Sequence, residues 1–152
     1  MPIESVSAKG TKTYEIRVIS KGTPETESLQ KVSDYKMDVV GKHEIHKLRF
    51  SGLHTLATGR FPLANNPREP GESKAVSAMR KTLKSTTDCG NFHLYNNGMV
   101  IIAEKATYDA TSQNLILTFT DQTHGICNGG HTYYAIQDSI TQKEIMGDPQ
   151  VN

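Results

Sequence analysis

The ten residues ANNPREPGES, Ala64 to Ser73, cannot be helical. Pro67 and Pro70 deny the α region to the residues before them, and two asparagines and a glycine add further turn formers. The segment separates two differently patterned stretches of chain. Before it, Tyr14, Ile16 and Val18 alternate with Glu15 and Arg17, which predicts a half-exposed strand over Thr13–Ser20. Tyr35 to Phe50 alternates in the same way, broken at Gly41, and predicts one or two strands; Leu53 to Phe61 predicts another. Thr23 to Lys31 is polar and turn-rich and leaves a short helix open. After it, Val76, Met79 and Leu83 share one face of a helix over Ser73–Lys84, with Lys74, Arg80, Lys81 and Lys84 on the other.

The remainder alternates turn and strand. STTDCGN closes the helix, and FHLYNNGMVIIAEKA (Phe92 to Ala106) enters a strand, with Asn96, Asn97 and Gly98 as a bend before Met99–Ala103. YDATSQN is a loop and LILTFT (Leu115 to Thr120) a returning strand, so the two strands predict a hairpin. ICNGGHTYYAI follows: a short strand through Ile126, a glycine turn, and a helix from about Thr132 to Ile145. The expected class is α+β, a mixed sheet with hairpins packed against a few helices. The expected division is a strand-rich segment over 1–60 and a core over 61–152, with a single domain over 1–152 of a longer protein as the other option.

A chain of 152 residues is the size of one domain with a real core. Its 17 basic and 16 acidic residues nearly cancel, so only a local basic face could favour nucleic acid. No stretch approaches the ~20 apolar residues of a membrane span, and MPIESVSAKG lacks the apolar run of a secretory signal. Two cysteines, Cys89 and Cys127, exclude a disulfide framework or a zinc ribbon but leave one bridge open, with reduced thiols in a cytoplasmic protein the favoured reading. The final MGDPQVN follows closely on a helix-like segment, which suggests a longer protein or a short relative of one.

The peptide Asn128-Gly129-Gly130-His131-Thr132 carries the chemistry. The first turn of a helix leaves amides without partners and adds positive potential, and glycine lets a ligand approach the backbone. A phosphate is the natural occupant, with His131 and Thr132 as further donors. The alternative is a tight turn in which Thr132 simply caps the helix. The peptide is neither a Walker loop, lacking Gly-Lys-Ser/Thr, nor a three-glycine dinucleotide fingerprint.

Other constellations are weaker. His43 and His46 would diverge on a strand, so a solvated face is favoured over a metal site, and no metal is expected. Cys127 or Cys89 with His131 and Asp121 lacks a nucleophile signature. His131 or His124 facing a phosphate could act as a general base, with His131 the catalytic candidate and a plain hydrogen-bonding turn residue the alternative. The basic face Lys74, Arg80, Lys81 and Lys84 could follow a nucleic-acid backbone or merely be solvated.

The order NPREP, basic helix, hairpin, strand–NGGHT–helix resembles the ParB/sulfiredoxin-like superfamily. Within it, NFHLYNNGMVIIAEKA with ICNGGHTYYAI is most similar to the AIPR family, named for abortive infection phage resistance. Asn96, Asn97 and Gly98 match its NNG motif, and Asn128, Gly129 and Thr132 match its later turn. The resemblance spans roughly Pro62 to Ile140. His131 stands where that family usually has glutamine, Thr132 replaces the arginine of ParB-type turns, and Gly130 occupies the position of sulfiredoxin's cysteine, which argues against sulfinic-acid reduction.

The resemblance implies a groove taking nucleotide or DNA phosphates. Asn128, Gly129, Gly130, His131 and Thr132 would line it, with Arg68 and Asn66 reaching from the opposite side and Asn96 and Asn97 either binding or shaping the bend. A nucleoside triphosphate is the one cofactor left open, nucleotide or DNA and a second copy of the chain are the candidate partners, and no membrane is expected. Three classes follow: an antiphage defence domain that binds nucleotide or DNA; a nucleotide hydrolase or nuclease on the same scaffold; or a regulatory or oligomerisation domain without a ligand.

Overall fold

A computed structural model of the chain describes residues 4–7, 13–16, 25–56, 61–63, 66, 71–121 and 123–152. It is mixed α+β, with small antiparallel sheets and four helices among the described residues. The helices are α1 (Gly52–Leu56), α2 (Lys74–Lys84), α3 (Phe92–Tyr95) and α4 (Gly130–Thr141). The strands are β1 (Glu4–Ser7), β2 (Thr13–Ile16), β3 (Glu25–Leu29), β4 (Ser33–Val40), β5 (His43–Ser51), β6 (Val100–Ile102), β7 (Lys105–Asp109), β8 (Asn114–Phe119), β9 (Gly125–Asn128) and β10 (Gln150–Val151). They pair as β1-β2, β10-β5-β4, β3-β8-β7 and β6-β9, every pairing antiparallel.

Strong local patterns become the expected elements. β4 and β5 form a hairpin about Gly41, whose φ of 63° supplies the turn. α2 begins where expected because the Ser73 hydroxyl caps it, accepting a hydrogen bond from the Val76 amide at 3.1 Å. Its apolar residues Val76 and Leu83 are fully buried.

Other segments depart from expectation because distant partners decide them. Glu25–Leu29 is a strand rather than a helix: β8 offers it a full antiparallel register, Glu25↔Phe119 to Leu29↔Leu115, and an edge strand needs little apolar alternation. Gly52–Leu56 is helical rather than extended. Ser51 accepts the His54 amide at 3.2 Å, and Asp148, from the other end of the chain, accepts the Leu53 amide at 3.1 Å. Two donors of this helix end are thus satisfied, one of them by a residue no local pattern could supply. Phe92–Tyr95, expected as strand, is α3, entered through a 3-10 turn at Cys89–Asn91. The expected hairpin forms between β7 and β8, while the segment after the NNG bend, β6, pairs with β9 instead. α4 starts at Gly130 and ends at Thr141, so its amino end is earlier than expected and Ile145 lies beyond it.

β3 pairs with β8 and β10 with β5, so strands from residues 25–51 interleave with strands from the rest. One apolar cluster joins Leu29, Val32, Phe50 and Leu56 to Leu83, Phe92, Phe119, Ile126 and Ile136. Each fully buried side chain of this size contributes about 1.5–3 kcal/mol. No described helix is long and apolar enough to cross a membrane.

Candidate functional site

The glycine turn is built by β9 and α4. Ile126 is fully buried in the core, and the chain turns at Gly129, with φ of 95°, before entering α4 at Gly130. A Cβ on Gly129 would lie 2.7 Å from the Gly98 carbonyl oxygen and 2.8 Å from Met99 Cγ. Glycine is required here twice over, for its φ and for the close passage of another backbone. The first helical bond runs from the Tyr133 amide to the Gly129 carbonyl at 3.1 Å. The N-cap position is Gly129 itself, which has no side chain to cap the helix.

Thr132, which the alternative reading made the N-cap, is not the cap: it lies inside the helix and is buried, and the N-cap is Gly129. Its hydroxyl donates to Asn96 Oδ1 at 3.1 Å, and the same oxygen accepts the Gly98 amide at 2.8 Å. Because both partners donate, the oxygen of this amide group is the atom that faces them. The NNG and NGGHT motifs therefore meet. Asn96 shapes its own bend and holds α4, whereas Asn97 is exposed and borders an open groove.

His131 is half-buried, and its Nδ1 is buried without a hydrogen-bond partner. Asn128 is exposed at the end of β9. Asn66 is half-buried, and its amide donates to the Leu63 carbonyl at 2.9 Å. Arg68, expected across the cleft, lies outside the described residues. His124 is occupied structurally: its Nδ1 accepts the Thr120 amide at 3.0 Å and the Asp121 amide at 3.3 Å, and Nε2 lies 3.8 Å from Glu104 and Asp121. His46 accepts from the Tyr35 hydroxyl at 2.7 Å and donates to Glu44 at 3.0 Å. Among the described residues, no three His, Cys, Asp or Glu side chains gather as metal ligands.

The basic face of α2 divides. Lys74 and Lys81 are exposed, and Lys84 pairs with Glu144 at 3.1 Å. Arg80 turns toward α4, bonding Glu72 at 2.6 and 2.9 Å and Asp138 at 2.6 Å, with its guanidinium 5.8 Å from the Tyr134 ring centre. Tyr134 donates its hydroxyl to Glu72 at 3.1 Å. The bond to Glu72 raises the Arg80 pKa above its ordinary value, and the bond from Arg80 holds the Glu72 carboxyl below its own. This clamp was not legible beforehand, because Asp138 comes from another helix and Glu72 precedes the α2 cap. Burial pushes the Cys89 thiol pKa up, which leaves it a poor nucleophile.

A second feature escaped the sequence. An open groove of about 1150 Å³ runs between β5 and β6–β7, floored by Leu29, Leu115 and Leu117. Its rim carries exposed Ile45, Val100 and Ile102 among lysines. The alternation of β5 predicted a half-exposed strand but not which strand would stand opposite.

No curated protein and no solved structure matches the chain. The family described as AIPR protein matches residues 63–150, more than half of the sequence, taking in α2, the NNG bend and the glycine turn. The chain therefore belongs to the AIPR family.

Proposed function

We propose that the chain is a cytoplasmic antiphage-defence domain, of ParB/sulfiredoxin-like type, that binds nucleotide or DNA phosphates at the amino end of α4. Membership in a family named for abortive infection phage resistance is consistent with antiviral defence. The observation that carries the binding reading is the start of α4: a helix of 12 residues entered through Gly129, which has no side chain to cap it, with the Nδ1 of His131 buried beside it and without a hydrogen-bond partner among the described residues. Such an end attracts anions through free amides and the helix dipole. Gly129, Gly130, His131 and Thr132 supply amides, and His131 a side-chain donor, with Asn128, Asn66 and Arg68 as flanking contacts. Lys74, Lys81 and Lys84 are the candidate contacts to a DNA backbone, and a nucleoside triphosphate is the candidate small ligand.

Titration calorimetry with ATP, CTP and a short DNA duplex tests the reading. Binding weakened by about tenfold or more in His131→Ala and in Arg68→Ala supports it, the loss of one charge-assisted hydrogen bond being of that size. Equal behaviour of wild type and Gly130→Val toward every ligand overturns it. A catalytic role for His131 requires turnover that disappears in His131→Ala while the fold survives.

A second reading has its own support. The Thr132–Asn96 bond and the close passage of Gly98 and Met99 suit a turn that is purely a structural clasp in a regulatory or oligomerisation domain. The same titration separates the two.

A further inference from the structure

We propose that two copies of the chain associate through β4, the two strands running antiparallel about a two-fold axis at Met37. Nothing in this rests on the phosphate reading of α4.

β4 is the outer strand of its sheet. It pairs with β5 on one side, and no described strand pairs with its other side. β10, which carries the chain to Asn152, lies across β5 from this edge. Met37, Val39 and Val40 are 47, 65 and 58 % exposed. Bulges, prolines and repeated lysines commonly blunt such an edge. Here the irregularity sits at the start, between Ser33 and Lys36, and Lys36 to Val40 pairs with β5 in unbroken register.

The hairpin fixes which backbone groups face outward. The two-residue turn Gly41-Lys42 makes Val40 and His43 a hydrogen-bonded pair. Alternation along the ladder then directs the N–H and C=O of Asp38 and Lys36 at β5, and those of Met37 at the free edge. Met37 can therefore exchange both bonds with Met37 of the partner subunit.

The side chains select that register. With the axis at Met37, Lys36 lies opposite Asp38 of the partner subunit, and Asp38 opposite the partner subunit's Lys36. Neither charge has an ion-pair partner among the described residues, whereas the neighbouring carboxylates are engaged: Asp34 by Arg49 at 3.2 Å and Glu44 by His46 at 3.0 Å. An axis at Asp38 would set carboxylate against carboxylate, and one at Lys36 would set ammonium against ammonium. An axis at Val39 would oppose Asp38 to Val40 and run into the turn at Gly41. At Met37 the alternate residues Met37 and Val39 also meet their counterparts on one face, covering apolar surface that the single chain leaves in water. The strand thus carries its own complement, which favours a second copy over a foreign strand. A two-fold pairing also uses each edge once and closes.

Sedimentation velocity of the chain over a range of concentrations tests the proposal. The wild type is expected to form a reversible dimer. Lys36→Asp alone and Asp38→Lys alone should each weaken self-association about tenfold or more, because each places like charges opposite one another twice. An equimolar mixture of these two variants should restore the dimer, since their charges are then opposite at both positions. A misfolded variant could not give that rescue. Met37→Pro removes an N–H directed away from β5 and should abolish the dimer while circular dichroism stays unchanged. A wild type that is monomeric at every concentration, single charge variants that associate like the wild type, a dimer indifferent to Met37→Pro, or a mixture no better than its components overturns it.

Discussion

Thr132 Oγ donates to Asn96 Oδ1 at 3.1 Å across 36 residues of sequence, and the same oxygen receives the Gly98 amide at 2.8 Å. One amide group thus fixes both the bend before β6 and the start of α4. Thr132→Val preserves shape but removes the donor and is expected to cost about 1 kcal/mol, with Asn96→Ala costing more because two donors lose their acceptor. In a double-mutant cycle by urea denaturation the two changes should couple by at least about 0.5 kcal/mol. Additive effects would show that the bond contributes nothing.

Gly129 combines a φ of 95° with backbone only 2.7 Å from where a Cβ would stand. Gly41, with φ of 63°, has nothing within 4 Å. Alanine at Gly41 therefore adds only conformational strain, about 1 kcal/mol. Alanine at Gly129 adds a clash with the Gly98 carbonyl, for a total of about 2–4 kcal/mol. Thermal or urea unfolding of both variants measures the difference, and equal losses would mean that the neighbouring backbone yields freely.

What the sequence disclosed was whatever a short window contains. The start of α2 close to Ser73, the apolar face of Val76 and Leu83, and the break at Gly41 are all decided within a few residues, and all appear where expected. The failures share one cause. Glu25–Leu29 is a strand because β8 lies beside it, and Gly52–Leu56 is a helix because Asp148 arrives from 95 residues away to accept its amide. At the candidate site, the meeting of NNG and NGGHT could be anticipated only through the resemblance. That Asn96 faces Thr132 while Asn97 faces outward is set by the bend itself, since the Asn96 oxygen also holds the Gly98 amide two residues on. Arg80 shows the limit of a helical wheel: it sits on the basic face yet reaches across to Asp138 on a neighbouring helix.

The Arg80 clamp joins α2 to α4 and should be felt in stability. Arg80→Ala strands the Glu72 and Asp138 carboxylates together, so it should lower the melting temperature clearly more than Lys81→Ala, which is exposed. The Glu72 carboxyl is held below its ordinary pKa by Arg80, so the folded protein releases that proton more readily than the unfolded chain. The resulting stabilisation is present above about pH 4 and is lost as pH falls through the folded value. Arg80→Ala should flatten this acid limb of the unfolding profile, and an unchanged limb would exclude Glu72 as its source.

His93 should impose a second, separate pH dependence. Its Nδ1 is buried without a partner, and burial lowers its pKa, with Arg49 acting in the same direction and Asp34 opposing it. The folded protein therefore binds fewer protons at this site than the unfolded chain near neutral pH. Its contribution to stability is complete above about pH 6.5 and declines as pH falls through the depressed folded value. The urea midpoint should fall between about pH 7.5 and about pH 5.5 in the wild type, and His93→Gln, which cannot titrate, should reduce that slope. The effect sets in near the ordinary histidine pKa, at higher pH than the onset of Glu72 protonation, so the two variants report on different limbs of the profile. A slope that survives His93→Gln unchanged would assign it to another group.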